Sequence, residues 1–184
     1  SAGTYPSGDN ISCFGFNDGS IDYTVSGGSP DYTYEWSTID GSGIALTNED
    51  QTGLIVGTYN VTATDINGCE ITTSITLIEP TPLVQTGNPF IYPSGDNISC
   101  FGLSDGSIDY TVTGGSPDYD YSWSNGVITQ DINGVQMGTY TVIVTDINGC
   151  LIDTTISLVE PAPLDQSSTL SVYPSGDNIS CFEF

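Results

Sequence analysis

The sequence of 184 residues contains no lysine, arginine or histidine, whereas it contains 23 aspartate and glutamate residues. Its formal net charge at pH 7 is therefore −23. Nucleic acids are excluded as partners, because binding their phosphates requires basic side chains. Ion pairs between side chains are excluded too, so the carboxylates must be solvated, hydrogen-bonded or neutralised by cations from the medium.

The missing basic residues also limit the chemistry that the chain can perform. Nucleophilic triads need histidine or lysine as the base, and neither residue is present. Two carboxylates can hydrolyse glycosides, but no acidic pair stands out from the aspartates that occur in turns. We therefore expect the protein not to be an enzyme.

Long apolar runs are a third feature that the sequence lacks. Since about 20 consecutive apolar residues are needed to cross a bilayer as a helix, we expect no direct membrane insertion. No signal-peptide pattern is visible either. We expect the sequence to come from the interior of a longer mature protein.

The residues that are present favour a folded chain of β-strands. High net charge indicates disorder only when hydrophobicity is low, and here 37% of the residues are hydrophobic. Valine, isoleucine, threonine and aromatic residues are abundant, and these are the residues enriched in strands. Glycine and proline occur between such segments, where they indicate turns.

Internal repetition dominates the sequence. The decapeptide YPSGDNISCF occurs at residues 5–14, 92–101 and 173–182. Between the copies, DGSIDYTVSGGSPDY at 18–32 matches DGSIDYTVTGGSPDY at 105–119. Such self-similarity at a long period is typical of an array of structural modules.

Each unit is predicted to be an immunoglobulin-like β-sandwich. Segments such as SIDYTV and TYNVTAT alternate apolar and polar residues, which is typical of half-buried strands. Six or seven short strands in about 80 residues suit this sandwich. We predict an all-β chain of tandem sandwiches arranged end to end: residues 1–82 form repeat 1 with its first strand partly missing, 83–163 form repeat 2, and 164–184 begin a third repeat.

The ordered set of motifs resembles a known family. A cysteine, DGSI, GG-P-Y, Y-W and GTY-V-V-D-NGC follow one another in both units over roughly residues 12–163. This order resembles the SprB-type repeat of Bacteroidetes cell-surface and gliding-motility adhesins. The resemblance implies stalk modules of a long filament, exported by type IX secretion and displayed on the outer membrane. It also implies adhesion to polysaccharide or to abiotic surfaces, and neighbouring repeats as partners.

Cysteines recur at two positions of the repeat, in the decapeptide and in the sequence DINGC. In a sandwich of this type, Cys13 and Cys69 are expected near opposite ends of one unit, and this separation disfavours a disulfide between them. Stacking the units end to end instead brings Cys13 towards Cys150. We therefore favour an inter-repeat bond between Cys13 and Cys150, with Cys181 bonded to a unit outside the sequence. Intra-repeat pairs, Cys13–Cys69 and Cys100–Cys150, remain the alternative.

Calcium is the one cofactor that the acidic turns suggest. Sequences such as SGDN and NDGS offer the oxygen ligands that calcium prefers, but none matches an EF-hand loop. Because aspartate, asparagine and glycine also form turns without any metal, a turn function is the simpler interpretation. If a calcium site exists, Asp9 and Asp96 beside the joint are the candidates.

Aromatic residues suggest the alternative function, a carbohydrate-binding module of a secreted protein. Tyr32, Tyr34 and Trp36 alternate along one predicted strand and would form a stacking platform if they were exposed. A tryptophan at this place in a sandwich commonly packs in the core, however. The tyrosines of the decapeptides, Tyr5, Tyr92 and Tyr173, are therefore the better candidates for ligand or inter-unit contacts.

Overall fold

A computed structural model describes residues 1–169 of the chain, and these residues form two β-sandwich units. Repeat 1 contains β1 (Gly19–Ile21), β2 (Thr33–Thr38), β3 (Gln51–Leu54), β4 (Gly57–Thr64) and β5 (Glu70–Leu77). Repeat 2 contains β6 (Thr81–Pro89), β7 (Gly106–Gly115), β8 (Asp120–Trp123), β9 (Ile132–Val135), β10 (Gly138–Thr145) and β11 (Leu151–Leu158). Residues 1–169 contain no helix long and apolar enough to cross a membrane.

Each repeat consists of two antiparallel sheets packed face to face. In repeat 1, β1 pairs with β3, and the second sheet has the order β2-β4-β5. In repeat 2, the orders are β6-β7-β9 and β8-β10-β11. Repeat 2 therefore has the immunoglobulin arrangement, with strands A, B and E in one sheet and C, F and G in the other. The prediction of an all-β, immunoglobulin-like fold is confirmed.

Strand alternation places the apolar side chains between the sheets. Along β4, every second residue is buried, including Tyr59, Val61 and Ala63. Along β10, the equivalent residues Val142 and Val144 are fully buried. Since side chains of a strand point alternately to its two faces, this pattern alone directs one face of each sheet inward.

A tryptophan and a tyrosine form the centre of each core. Trp36 packs edge to face against Tyr23, with 5.7 Å between ring centroids, and Trp123 packs likewise against Tyr110 at 5.5 Å. Each indole N–H donates to a backbone carbonyl, so no polar atom of the ring is left without a partner. The two cores share no residue, and each repeat therefore has its own hydrophobic core.

The sheets of the two repeats differ at one strand. β6 pairs with β7 over most of its length in repeat 2. Residues 1–80 contain no strand in the corresponding place, and only an isolated bridge joins Ala2 to Ile21. The predicted third unit, residues 164–184, lies for the most part outside the described residues, as does Cys181.

Candidate functional site

The DINGC sequences form one tight turn in both repeats. In repeat 2, one carboxylate oxygen of Asp146 accepts the N–H groups of Asn148 and Cys150 at 3.0 and 2.9 Å, and the other accepts the N–H of Ser116 at 2.8 Å. In repeat 1, Asp65 accepts the equivalent three N–H groups at 2.9–3.0 Å. The aspartate thus fixes the turn between the last two strands and presents the cysteine at the end of the sandwich.

The decapeptide is fastened to the other end of each repeat. In repeat 1, the N–H groups of Asn10 and Ile11 donate to the carbonyl of Ile78, just after β5, at 3.0 and 3.1 Å. The Asn10 side chain accepts the N–H of Ile78 at 3.0 Å in return. Ile11 is fully buried in the core. These contacts hold the decapeptide as a rigid turn at the end where the chain leaves repeat 1.

The decapeptide of repeat 1 meets the DINGC turn of repeat 2, and a disulfide joins them. The bond links Cys13 to Cys150, with the Cα atoms 5.6 Å apart and a sequence separation of 137 residues. We call this contact between residues 5–14 and 146–150 the joint. Its position shows that the two sandwiches are arranged end to end.

Asn148 supplies the hydrogen bonds of the joint. Its side-chain amide donates to the Ser7 hydroxyl at 2.8 Å and to the Ser12 carbonyl at 3.1 Å, both in the decapeptide. The Ser116 hydroxyl of its own repeat lies 2.8 Å from the same amide nitrogen, so the two amide hydrogens are shared among three oxygens. Its carbonyl oxygen accepts the N–H of Ser7 at 3.4 Å. One asparagine therefore connects both sides of the joint.

Contact across the joint removes these residues from solvent. Cys13 and Ser12 are buried in the decapeptide of repeat 1, whereas Cys100, at the corresponding position of repeat 2, is exposed. Cys150 is likewise buried, and its counterpart Cys69 is exposed. The sequence differs little between the repeats here, so the difference in burial results from the contact itself.

The disulfide decides between the alternatives derived from the sequence. The structure contains the inter-repeat pair, and the intra-repeat pairs Cys13–Cys69 and Cys100–Cys150 are incorrect because each would need a cysteine of the observed bond. The physical reason is that both cysteines of one repeat lie at opposite ends of its sandwich. Among the described residues, Cys69 and Cys100 are free thiols; Cys181 lies outside them.

Asp18 anchors the decapeptide from within repeat 1. Its carboxylate accepts the backbone N–H of Ser12 at 3.1 Å and the phenol of Tyr5 at 2.9 Å, and it also accepts the Ser12 hydroxyl. Partial burial raises the pKa of Asp18, but the hydrogen bonds from Ser12 and Tyr5 together outweigh that effect and leave the pKa below its ordinary value. The ionised form is therefore the one that holds the turn.

The calcium candidates lie in the same turns. The Asp9 carboxylate accepts the Ser7 hydroxyl at 2.8 Å, and the Asp9 carbonyl accepts the N–H of Tyr5 at 2.8 Å. Asp96 accepts the N–H of Tyr92 in the same way. Within residues 1–169, no group of three or more acidic, cysteine or histidine side chains converges on a point. Calcium binding by Asp9 or Asp96 stays a prediction.

The tyrosine candidates are half-buried and bonded within their own repeats. Tyr5 donates its phenol to Asp18, whose hydrogen bond and nearby charge raise the Tyr5 pKa, together with desolvation. Tyr92 donates its phenol to the carbonyl of Asp105 at 3.3 Å. Tyr173 lies outside the described residues. Ligand contact by these three tyrosines stays a prediction.

The tryptophans of the strands do not contribute to a platform for sugars. Trp36 and Trp123 are 1% and 3% exposed, because they point into the cores. A buried indole cannot stack on a carbohydrate ring. The expectation that Trp36 packs in the core of the sandwich is confirmed.

An apolar groove of about 390 Å³ lies beside the disulfide. Phe14 and Phe16 line it from repeat 1, and Pro82, Leu83 and Ile152 line it from repeat 2. Both phenylalanines are more than half exposed. The joint is therefore a narrow contact centred on the disulfide and Asn148, and it leaves apolar surface open at its edge.

Sequence reasoning identified the cysteines of the joint but missed Asn148 and Ser7. Both belong to sequences that recur unchanged, DINGC and the decapeptide, and we assigned them only to turn formation. The available signal was that DINGC is identical in both repeats while the next residue changes from Glu70 to Leu151. An identical turn beside a variable strand indicates a contact that the turn must make.

Comparisons with known proteins agree with this description of two repeated units. The family model described as SprB repeat matches residues 8–41 and 95–127. A comparison with curated proteins finds no match.

Among solved structures, two are similar to this chain. The amphioxus IgVJ-C2 molecule is 15% identical, with 76% of this chain and 94% of that chain covered and a TM-score of 0.35. The 282-residue C-terminal fragment of intimin, in complex with the intimin-binding domain of the translocated intimin receptor, is 15% identical with a TM-score of 0.46. The match covers 86% of this chain, which spans 62% of the intimin chain.

Each match to the family model begins within a decapeptide and ends shortly after the strand that carries the core tryptophan. The two matched regions correspond to each other across the two sandwiches. The chain therefore carries two regions that are similar to the SprB repeat, one in each sandwich, and the disulfide between Cys13 and Cys150 joins the two sandwiches end to end.

Proposed function

We propose that this chain is a pair of stalk modules in a long cell-surface filament. The function of these modules is to keep the filament extended and to transmit tension along it. The observation that carries the proposal is the disulfide between Cys13 and Cys150. It links successive modules covalently at a point where the polypeptide already connects them. A second covalent connection at a joint is useful where the joint must resist bending and pulling.

The disulfide changes how a pulling force passes through the molecule. A force applied to the two ends reaches Cys13, crosses the disulfide, and continues from Cys150. The 137 residues of sequence separation are thereby shielded from the force. Fully extended, that length of chain would span roughly 450–490 Å. The bond thus prevents most of both sandwiches from unravelling under load.

The same bond stabilises the folded state without any load. Closing a loop of this length removes conformational entropy from the unfolded chain, which the chain-entropy model puts at about 5 kcal/mol. That figure is an upper bound when the unfolded chain retains structure. A joint with few other contacts therefore depends strongly on its disulfide.

Display and adhesion belong to the same proposal. SprB repeats suggest a cell-surface protein of the adhesin type. We propose that the filament is exported by type IX secretion, attached at the outer membrane and used in gliding motility, with adhesion to polysaccharide or to abiotic surfaces. The uniform negative charge supports such a filament, because it keeps neighbouring stalks apart within a Debye length of about 8 Å at physiological salt.

Single-molecule force spectroscopy tests the mechanical function. The chain is pulled through tags at its two ends, as the oxidised wild type and as the Cys13→Ser/Cys150→Ser variant. We expect the variant to release roughly 450–490 Å more contour length when its sandwiches unfold. The Cys69→Ser/Cys100→Ser variant is the matched control, because it removes two exposed thiols and keeps the joint disulfide. Equal contour lengths in all three proteins would contradict the proposal.

A further inference from the structure

Each half of the joint is also present at a free end of the described structure. The DINGC turn of repeat 1, residues 65–69, faces solvent with an exposed Cys69. The decapeptide of repeat 2, residues 92–101, faces solvent with an exposed Cys100. In the joint itself, the equivalent residues are in contact and bonded. The two free ends are therefore the two complementary halves of an interface that the molecule already contains once.

The DINGC turn of repeat 1 is already in the geometry used for docking. Asp65 accepts the N–H groups of Ser29, Asn67 and Cys69, as Asp146 does in the joint. Its pKa is lowered mainly by the N–H of Ser29 and then by that of Cys69. The Asn67 amide donates to the Ser29 hydroxyl at 2.7 Å, as Asn148 does to Ser116. What Asn67 lacks is the partner decapeptide.

The decapeptide of repeat 2 is equally preformed. The N–H of Tyr92 donates to the Asp96 carbonyl at 2.8 Å, which is the distance between the corresponding atoms in repeat 1. Asn97 and Ile98 donate to the Val159 carbonyl at 2.9 and 3.2 Å. Ser99 donates its N–H to Asp105 at 3.1 Å, as Ser12 does to Asp18. Docking would therefore require little rearrangement at either surface.

We propose that the DINGC turn of repeat 1 accepts the decapeptide of repeat 2 from a second copy of this chain, and that a disulfide between Cys69 and Cys100 closes this contact. Because the two surfaces differ, the contact is head to tail, and it continues into an open linear assembly. The inference rests on the proposed stalk function, since it takes the joint as the unit from which a filament is built.

The contact between copies is smaller than the joint within the chain. In repeat 2, Thr81, Pro82 and Leu83 of β6 line the groove beside the disulfide. Residues 1–80 contain no corresponding strand, so the decapeptide of a second copy would meet no equivalent of these three residues beside Cys69. We therefore expect reduced copies to dock weakly and the disulfide to make the assembly persistent.

Formation of the bond requires an oxidant, and oxidised glutathione supplies one. The Cys69 thiolate attacks glutathione disulfide, forms a mixed disulfide and releases one glutathione thiolate. The Cys100 thiolate of the second copy then attacks the sulfur of Cys69 and expels the second glutathione. The two protein thiols lose two protons and two electrons in total, and the glutathione disulfide is reduced by that electron pair.

Disulfide mapping of the oxidised protein tests the proposal. The chain with Cys181→Ser is incubated with oxidised and reduced glutathione, and its linked peptides are quantified under non-reducing conditions. Chance encounters would make the mixed Cys69–Cys100 bond as common as the two like-with-like bonds together. We expect the mixed bond to exceed them about tenfold, which corresponds to about 1.4 kcal/mol of preferential docking.

Three variants show whether docking of the two surfaces directs formation of the Cys69–Cys100 disulfide. Cys69→Ser and Cys100→Ser each abolish the ladder of oligomers alone, and mixing the two variants restores a dimer through the mixed bond. Asn67→Ala lowers the excess of the mixed bond several-fold, although it leaves both thiols in place. As a control for simple exposure, Thr47→Cys in the Cys100→Ser background gives no excess with Cys69.

These results distinguish failure of the contact between copies from failure of the proposed stalk function. Like-with-like bonds at their chance frequency, or an equal excess from Thr47→Cys, would overturn the contact between copies. The same maps report the Cys13–Cys150 peptide. If that peptide is present without the mixed bond, only the inference fails; if it is absent, the proposed stalk function fails with it.

Discussion

At the scale of single residues, the joint shows how one side chain can hold two modules. Asn148 bonds Ser7 and Ser12 across the joint and Ser116 within its own repeat. Asn67, in the same turn of repeat 1, bonds only Ser29. The two asparagines therefore occupy equivalent positions, but only Asn148 has a decapeptide to bind.

Replacing Asn148 with alanine should make the joint disulfide easier to reduce. The change removes about two hydrogen bonds across the joint, so the closed form should lose about 1–3 kcal/mol, or roughly 5- to 150-fold in the equilibrium constant. The measurement is the equilibrium of Cys13–Cys150 with a glutathione redox buffer. Asn67→Ala is the control and should leave that equilibrium unchanged; an equal effect of both variants would refute the assignment.

The carboxylate that anchors the decapeptide of repeat 2 predicts a pH effect. The Ser99 hydroxyl is the largest cause that lowers the pKa of Asp105, and the backbone N–H of Ser99 adds to it. The pKa of Asp105 in the folded state lies below the unfolded value of about 3.9. The ionised carboxylate therefore stabilises the folded state fully above that pH. This stabilisation is lost as the pH falls through the folded pKa.

Ser99→Ala should therefore raise the pKa of Asp105. As the pH falls, Asp105 should then be protonated, and stop anchoring the decapeptide, at a higher pH than in the wild type. Titration of the Asp105 carboxyl carbon by NMR measures this directly. Ser104→Ala is the control, since Ser104 is exposed and adjacent in sequence to Asp105. If Asp105 titrates at the same pH in the wild type and in Ser99→Ala, the hydroxyl does not hold the ionised form.

At the scale of elements, the same sequence forms strands of different length in the two repeats. DGSIDYTV occurs at 18–25 and 105–112. In repeat 2 it belongs to β7, which has ten residues, whereas in repeat 1 only the three residues of β1 are paired as a strand. The difference follows from β6, which pairs with β7 and has no counterpart in residues 1–80.

Two equivalent glycines make the effect of β6 measurable. Gly27 and Gly114 both have a left-handed backbone, with φ of 87° and 78°. A Cβ at Gly27 would meet nothing within 4 Å, whereas at Gly114 it would lie 2.0 Å from the carbonyl oxygen of Pro82 in β6. Alanine at either position therefore introduces the same backbone strain, but only Gly114→Ala also pushes against a strand.

Gly27→Ala should cost about 1–2 kcal/mol from the left-handed conformation alone. Gly114→Ala should cost clearly more and should loosen the pairing between β6 and β7. Thermal unfolding gives the stability of each variant, and hydrogen exchange of the β6 amides locates the damage. Equal losses of stability, with unchanged exchange in β6, would show that Pro82 moves aside freely.

These elements also show what the sequence could predict. Alternation along the strands was sufficient to place Trp36 in a core, because a period of two directs one face inward. The cysteine spacing, combined with the length of a sandwich, favoured Cys13–Cys150 over bonds within a repeat. Both conclusions depend on local pattern and on coarse dimensions.

The rest depended on which surfaces meet, and local sequence does not encode that. Nothing around Asn148 differs from the surroundings of Asn67 within the DINGC turn, yet only Asn148 contacts a decapeptide. The length of β7 likewise depends on a partner strand whose paired residues lie 19 to 34 positions earlier in sequence. Such features become predictable only after the two repeats have been placed relative to each other.

At the scale of the whole molecule, the dominant property is charge of one sign. All 23 charged side chains are acidic, and none has a basic partner. Their mutual repulsion opposes the compact state, while the two cores and the disulfide oppose that repulsion. The stability of this protein should therefore depend on the ions in its medium more than that of a protein with mixed charges.

Raising the sodium chloride concentration should stabilise the fold. The Debye length falls from about 30 Å at 0.01 M to about 8 Å at 0.15 M salt, so repulsion between distant carboxylates is largely screened. For a chain of this size, each gain of about 1 kcal/mol should raise the unfolding midpoint by about 2–4 °C. Thermal unfolding at increasing salt measures the effect. A midpoint that falls or stays constant would mean that repulsion is not what limits stability.

Calcium chloride at matched ionic strength separates screening from a specific site. The Asp9 carboxylate accepts a hydrogen bond from Ser7, and residues 1–169 contain no group of three or more acidic, cysteine or histidine side chains that could hold a metal ion. We therefore expect calcium to act on the diffuse charge, with the same gain in midpoint for the wild type and for Asp9→Asn/Asp96→Asn. A calcium-specific gain that this variant loses would instead place a bound ion at the decapeptides, and the joint would then be closed by metal as well as by sulfur.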